Sequence, residues 1–287
     1  MKESDSISII VVFYNPSKIQ IKCIERLSDI YFGVIVDNSP KPIINSDRFG
    51  KFDYIYNNAN LGIAKAQNIG LQRVLSHKNV SFIVFLDQDS VVPDNYPRDI
   101  VNEYLRVYSQ KQNLAALGPM LTDGISDIAY ASKIHKIRYL APDLIFKRNI
   151  ISSGCCISRV VLEDVGMFEE NLFIDLVDSE WCWRAGAKGY VCCISTKISI
   201  VHSIGKKRIR IGPINDIVSV PFRYFYQYRN YIWMLRRKYV PKKWKFFVGV
   251  KYMFRLIYVP LLTENGFESC KFMLKGIFYG LVSKSKS

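Results

Sequence analysis

The first ninety residues repeat one arrangement. A short β-branched, apolar run stops at a cluster of Asn, Asp, Ser, Pro or Gly, and a helical pattern follows. Ile7-Ser8-Ile9-Ile10-Val11-Val12-Phe13 stops at Tyr14-Asn15-Pro16, and Gly33-Val34-Ile35-Val36 stops at Asp37-Asn38-Ser39-Pro40. Asp53-Tyr54-Ile55-Tyr56 leads into Asn58-Ala59-Asn60-Leu61-Gly62, and the run at 81–86 into Asp87-Gln88-Asp89-Ser90. Strands this short and this apolar are buried on both faces, as in a parallel βαβ sheet covered by helices. Right-handed crossovers put the C-terminal ends of such strands on one edge, where ligands bind. Each cluster alone is an ordinary turn; four on a common rim look like a binding site.

Further along, Pro16 suits the first turn of a helix reaching about Asp29, and an Ala-rich helix should follow the cluster ending at Gly62 and run through Leu75. After residue 90 the pattern changes. A helix is expected over 99–110, a strand over 115–120, irregular structure over 123–149, a strand over 150–157, and a short helix over 159–165 ended by Gly166. With 287 residues, 49% of them hydrophobic, the chain is long enough for one large domain or a domain plus an appendage. Disorder and collagen-like architectures are poor fits. There is no internal repeat.

Charge divides the chain more sharply than any linker does. Residues 1–204 hold 22 basic and 22 acidic side chains, whereas 205–287 hold 18 basic and 3 acidic ones together with 18 aromatics. The whole net charge of +15 therefore belongs to the last 83 residues. Seven cysteines, without metal-ligand spacing, read as buried free thiols in a reducing compartment. The acid-containing start, Met1-Lys2-Glu3-Ser4-Asp5, does not look like a secretory leader. The most apolar stretch, 246–262, is interrupted by Lys251, Arg255 and Pro260, so a spanning helix is not expected. A helix lying on a membrane is.

Two acidic clusters carry the candidate chemistry. Asp87-Gln88-Asp89 sets two carboxylates at the end of an apolar strand, hard oxygen donors suited to Mg2+ or Mn2+ bridging a diphosphate. The second, Asp175-Leu176-Val177-Asp178-Ser179-Glu180-Trp181-Cys182-Trp183-Arg184, mixes acids with large apolar residues. There Asp178 is expected to N-cap a helix starting at Ser179, a position that favours the ionised carboxylate and lets it accept an alcohol proton. His77 and His135 lie in polar surroundings and read as surface residues. His202 follows a β-like run at 197–201; taken alone, it reads as a structural histidine.

Together these motifs resemble the inverting, nucleotide-sugar-dependent glycosyltransferases of family 2. The likeness rests on residues 9–16, Val36-Asp37-Asn38, Asn60-Leu61-Gly62 through Gln67-Asn68-Ile69-Gly70, Asp87-Gln88-Asp89-Ser90 and 173–184. It covers roughly residues 6–205. Within that family, Phe85-Leu86-Asp87-Gln88-Asp89-Ser90 and Asp178-Ser179-Glu180-Trp181 are most similar to bacterial rhamnosyltransferases of cell-surface polysaccharide.

The resemblance implies an α/β GT-A fold, a Rossmann-like, mostly parallel sheet with helices on both faces, followed by a basic, aromatic helical extension. It divides the chain into a catalytic domain at 1–205, with a nucleotide-binding half at 1–90 and an acceptor-binding half at 91–205, and the extension at 206–287. Tyr14 and Asp37 would hold the base and ribose of the donor. Asn60, Gly62 and Gln67 would line its pocket, and Asp87 would contact the ribose or the metal shell. Asp89 and His202 would bind the divalent metal, Mg2+ or Mn2+. Asp178 would match the catalytic base, with Asp175, Glu180, Trp181 and Arg184 on the acceptor side. Many members carry Glu-Asp where this chain has Val177-Asp178, so Asp175 and Glu180 compete for the base.

The implied reaction is single displacement, with rhamnose moving from a dTDP donor to a hydroxyl of a polysaccharide or lipid-linked glycan. A UDP-hexose or galactofuranose donor is the alternative. Basic amphipathic helices with aromatic anchors suit an anionic membrane surface, so the expected address is cytoplasmic, peripheral on the inner face of the cell membrane. Homo-oligomerisation through the extension is a further option. A polyanion-binding protein without catalysis is the rival of another class, but no helix-turn-helix, zinc-finger or RNA-recognition motif is present, so nucleic acid is not an expected partner.

Overall fold

The computed structural model describes residues 6–43, 46–122, 138–202, 208–211 and 214–283. Four parallel strands form the first half, with order β3-β2-β1-β4: β1 (Ile7–Phe13), β2 (Phe32–Asp37), β3 (Phe52–Tyr56) and β4 (Phe82–Asp87). Each lies within a residue or so of the apolar run that announced it, because burial on both faces leaves little freedom in where such a strand ends. Helix α1 (Lys18–Ser28) starts later than expected. Ser17 caps it in a reciprocal capping box with Gln20, so Pro16 lies before the cap. Helix α2 (Gly62–Leu75) runs over the predicted span.

The sheet continues beyond β4 as a mixed one. β5 (Ser90–Val91) follows the acidic turn, then come α3 (Tyr96–Gln110) and β6 (Leu114–Thr122). Part of the stretch expected to be irregular folds into an antiparallel hairpin, β7 (Arg138–Ala141) and β8 (Leu144–Lys147); residues 123–137, with His135, lie outside the described residues. The expected strand at 150–157 shrinks to β9 (Cys156–Ser158), antiparallel to both β4 and β6. The preceding residues form a loop against the end of β4. Ser158 caps α4 (Arg159–Val165), which ends at Gly166 as expected. The chain then passes through α5 (Val177–Ala187) and the long β10 (Val191–His202), which lies parallel to β6 and antiparallel to β5 and β8.

A small ribbon, β11 (Arg208–Ile211) with β12 (Ile214–Ile217), leads to three helices, α6 (Pro221–Arg236), α7 (Lys242–Leu262) and α8 (Gly266–Val282). The boundary expected at 205/206 does not separate two packing units. Trp233, Met234 and Val240 belong to the same core cluster as β1, α2, α4 and α5. Only further out do Tyr224, Tyr228, Tyr252, Val259 and Met273 form a cluster of their own. Five of the seven free cysteines are buried, as their apolar surroundings suggested. Among the described residues, no helix is long and apolar enough to cross a membrane.

Candidate active site

The parallel strands deliver their polar ends to one rim, where hydrogen bonds tie the loops together. The Tyr14 backbone N–H donates to Gln88 Oε1 at 2.7 Å, and Gln88 Nε2 donates back to Tyr14 O at 3.3 Å, clamping the end of β1 to the acidic turn after β4. Asn15, at φ +49°, donates its N–H to Ser39 Oγ at 2.7 Å. Asn38 Nδ2 donates to the carbonyl of Gly62 at 3.2 Å, and Asn57 Nδ2 donates to Asn38 Oδ1 at 2.8 Å. The Tyr14 ring stays 47% exposed above this network, a free aromatic face at the mouth of the sheet.

Not every residue the resemblance assigned to the donor reaches the open rim. Asp37 is fully buried; its carboxylate accepts the Ser39 N–H at 2.8 Å and the Tyr54 hydroxyl at 2.6 Å. It braces the β2 loop instead of facing solvent; burial, and then the hydrogen bond to Asp37, push the Tyr54 phenol well up. Gln67 is also interior, donating from Nε2 to Ser152 Oγ at 3.2 Å, and its Oε1 is buried without a partner. Asn60 is exposed and accepts the Gly62 N–H at 3.0 Å, an Asx turn that opens α2. Gly62 sits at φ +80°, with Phe173 so close that a Cβ there would lie 2.6 Å from its ring and carbonyl. Only glycine fits.

Phe173 belongs to a segment with unusual backbone. Phe173, Asp175 and Leu176 all have φ between +64° and +67°, a region that costs about 1–3 kcal/mol per non-glycine residue and marks functional sites. Helix α6 holds the strain. Asn230, fully buried, reaches the carbonyls of Leu172, Ile174 and Asp175 at 2.9–3.0 Å. Arg229 takes the carbonyls of Asn171 and Leu172, and Tyr226 stacks on Phe173 at 4.6 Å. Arg223 pairs with Asp175 at 2.5 Å.

The strained turn presents Asp178. Sequence reasoning placed it at the N-cap, but α5 begins two residues earlier, with Leu176 in the left-handed region as cap, so Asp178 sits in the first turn. It borders a small apolar pocket made by Phe85, Ala116, Ile150, Ile157, Phe168 and Trp181, among others. The helix N-terminus favours the carboxylate by about 0.3–1 kcal/mol. Burial of the carboxyl, then the charge of Asp87 across the site, outweigh that and the Ser152 hydrogen bonds, and raise its pKa to about 7. The preference for the ionised form expected of a cap residue is thereby overturned, and the group is poised where a general base works best.

The competitors are occupied. Asp175 is neutralised by Arg223. Glu180 is fully buried, 3.0 Å from both Arg184 and Arg237, and it also accepts the Tyr239 hydroxyl at 2.6 Å. Trp181 donates to the carbonyl of Gly166, and Arg184 to those of Val165 and Met167. Glu180 and Arg184 thus lock α5 onto α4 and the helix α6 end, and Trp181 backs the pocket. Glu180 and Trp181 are buried, and Arg184 is half-buried.

On the other side of the site the β5–β10 pairing sets His202 opposite Ser90, the residue after Asp89. Asp87 and Asp89 are half-buried at the same turn. Among the described residues, no three His, Cys, Asp or Glu side chains converge on one point. Two half-buried carboxylates at one turn suit an ion that takes its remaining ligands from a diphosphate and water, as Mg2+ commonly does, better than an all-protein cage. A motif the sequence reading passed over is Ser152-Ser153-Gly154, mistaken for the start of a strand. A Ser-Ser-Gly break in an apolar run was the available signal.

Comparison with known proteins bears on this arrangement. Residues 8–109 match the family model "Glycosyl transferase family 2". The dTDP-rhamnosyl transferase RfbF of Shigella flexneri is 31% identical over 291 residues, covering 96% of this chain and 94% of that protein. Among solved structures, GalNAc-T7 with UDP, GalNAc and Mn2+ superposes with a TM-score of 0.58 at 15% identity, covering 99% of this chain and 57% of that one. TarS of S. aureus, residues 1–349, superposes with a TM-score of 0.51 at 13% identity, over 96% of this chain and 80% of that one. At such identities the structural matches speak to the fold, which is GT-A-like.

Proposed function

The chain belongs to glycosyltransferase family 2, and from that premise we propose that it transfers L-rhamnose from dTDP-L-rhamnose to a hydroxyl of a polysaccharide or lipid-linked glycan, with inversion at the anomeric carbon. The observation that carries the mechanism is Asp178, a carboxyl bordering the apolar pocket and raised to about 7 by burial and by the charge of Asp87. Its ionised form removes the acceptor hydroxyl proton as the oxygen attacks the anomeric carbon, and the bond to the dTDP oxygen breaks on the opposite face. A single carboxylate so placed needs no covalent intermediate, and Asp175 and Glu180, both ion-paired, do not compete with it.

The exposed Tyr14 ring offers a stacking face for the base, and Asn60 and Gly62 edge the ribose and phosphates at the start of α2, where the positive end of the helix dipole favours anionic oxygens. Asp37 and Gln67 support that pocket from beneath. Asp89 and His202 are the residues that would hold a divalent ion, with Asp87 beside them. When bound, that ion supplies positive charge to the departing diphosphate. The dTDP-rhamnose assignment draws on RfbF, a dTDP-rhamnosyl transferase.

The deciding assay offers dTDP-L-rhamnose, UDP-hexoses and UDP-galactofuranose to the purified chain with a glycan acceptor and reads the product anomer by NMR. Transfer from dTDP-L-rhamnose with inversion supports the proposal; transfer only from a UDP sugar replaces the donor, and retention replaces the mechanism. Asp178→Asn should lower turnover by about 10²–10⁴-fold with donor affinity little changed. Turnover undiminished in EDTA would remove Asp89 and His202 from their roles.

The outer helices give the enzyme a place to work. Phe246, Val250, Met253, Phe254, Ile257 and Leu261 lie at helical spacing along one side of α7, all exposed. Lys242, Lys243 and Lys251 on α7 and Lys271 and Lys275 on α8 are exposed as well. An apolar, aromatic face edged by lysines fits a surface-lying helix pair on anionic lipid, on the cytoplasmic face where a lipid-linked acceptor is presented. Flotation with anionic against zwitterionic vesicles tests it. No preference would remove the membrane, and a concentration-dependent dimer in light scattering would assign the face to a second copy.

A further inference from the structure

Adjacent serines in the loop before β9 hold opposite sides of the site. Ser152 bonds to Asp178 through both its backbone and its hydroxyl. Because its Oγ accepts the Gln67 amide at 3.2 Å, its single hydroxyl proton is left for the carboxylate. Ser153, 1% exposed, points the other way, its Oγ 2.9 Å from Ser90 Oγ, and that same Ser90 oxygen accepts the Asp87 N–H at 3.2 Å. One serine grips the base, the next the acidic turn.

The dipeptide between them is rigidly mounted. The Gly154 N–H donates to Phe85 O at 2.8 Å, and the Phe85 N–H donates to Cys155 O at 2.9 Å, pinning the loop to β4 two residues before Asp87. The Tyr96 hydroxyl donates to Gly154 O at 2.6 Å, and Gly154 turns at φ +74° with Tyr96, Ile200 and Pro119 within 3 Å of where a Cβ would be. The peptide linking two successive residues is planar and of fixed length. The unpartnered Gln67 Oε1 is a further sign, since a buried polar atom left unpaired costs about 1–3 kcal/mol.

Resting on Asp178 as the base, we propose that Ser152 and Ser153 form a positioning element that fixes the distance and orientation of Asp178 relative to the Asp87–Asp89 turn, with Gln67 acting through Ser152. In this role neither serine touches the substrate; Ser152 acts through Asp178 and Ser153 through Ser90. They set the alignment in which proton removal and diphosphate departure occur together, and transfer depends steeply on such alignment.

The test measures kcat, KM for acceptor and donor, dTDP-L-rhamnose affinity by calorimetry, and Tm for Ser152→Ala, Ser152→Thr, Gln67→Leu and the Ser152→Ala/Gln67→Leu double variant. Ser152→Ala should lower kcat about 10- to 100-fold with donor affinity within twofold and Tm little changed. Ser152→Thr, which keeps the hydroxyl, should recover most of the loss. The double variant should be no worse than Ser152→Ala, because Gln67 works through it. Unchanged kcat in a folded Ser152→Ala protein overturns the proposal. So does a parallel loss of kcat, donor affinity and Tm that Thr does not rescue, and so do additive losses in the double variant. If Asp178→Asn itself retains transfer, the base assignment fails first; if it is inactive while Ser152→Ala is normal, only the positioning role fails.

Discussion

Helices α6 and α7 are both basic and aromatic, and from composition they belong to one appendage, yet the protein uses them in opposite ways. The cations of α6 and its end are arginines turned inward or onto neighbouring helices. Arg223 grips Asp175, Arg229 the carbonyls before the strained turn, Arg237 both Glu169 and Glu180, and Arg236 the last carbonyls of α8. The cations of α7 are mostly lysines, with Lys242, Lys243 and Lys251 exposed; its one arginine, Arg255, is buried and donates to Gln227 at 3.0 Å. A planar, weakly hydrated guanidinium fits buried carboxylates and carbonyls, whereas a strongly hydrated ammonium stays in water. The positive charge of the last 83 residues therefore does two jobs. Among the described residues, the arginines at α6 brace α5 and the turn before it, whereas the exposed lysines of α7 and α8 face outward.

The difference is sharpest in the buried ion cluster. Arg237→Ala takes the guanidinium from half-buried Glu169 and leaves buried Glu180 with Arg184 as its remaining cation, and urea unfolding should show a loss of about 3 kcal/mol. Asn230→Ala strips three carbonyls of the strained turn and should cost about 1–3 kcal/mol. It should also lower kcat more than donor affinity, because the turn it releases carries Asp178. Either variant behaving like a surface substitution would collapse the contrast.

The next effect is a tenfold change per pH unit. The proposed base, Asp178, has a pKa raised to about 7 and would act in its ionised form, so kcat should fall about tenfold for each unit below that value and level off above it. The linkage has the opposite sign for stability. A carboxyl raised in the folded state favours folding below its unfolded value, near 3.8, and this contribution is lost as pH rises through about 7. Asp178→Asn should therefore raise Tm at pH 8, and the gain should shrink as pH falls toward 4. A flat rate profile between pH 5 and 8 would point to another base.

On the outer helices the expected changes leave the fold alone. Replacing Phe246, Met253 and Ile257 by Ser should weaken binding to anionic vesicles about tenfold or more, with transfer to a soluble acceptor unchanged. The smallest effect is Lys243→Ala, within about 0.5 kcal/mol in stability. A large loss there would mean that α7 is as interior as α6.

The parallel strands were legible because their signal is local. Runs such as 7–13 and 82–87 cannot be exposed on either face, and a polar cluster ends each. The carboxylates Asp87, Asp89 and Asp178 stood out for a similar reason, as acids bounded by apolar residues. Less legible were the hairpin β7–β8, whose pairing is with a distant strand, and Ser152-Ser153, whose apolar flanks look like strand. Asp37 and Gln67 look like rim residues in sequence, but nothing local says that Tyr54 and Ser152 cover them.

By itself the sequence determined the parallel half of the sheet, the edge on which its polar strand ends collect and the identity of the acids, since periodicity and punctuation act over a few residues. Tertiary structure alone decided which acid is free to act. Asp175, Asp178 and Glu180 lie within six positions of one another, but Arg223 and Arg237 arrive from α6, some sixty residues later in places, to neutralise two of them. Burial and Asp87 act on the third. The proton affinity of a carboxyl is set by what surrounds it in space, and those surroundings are contributed by distant parts of the chain.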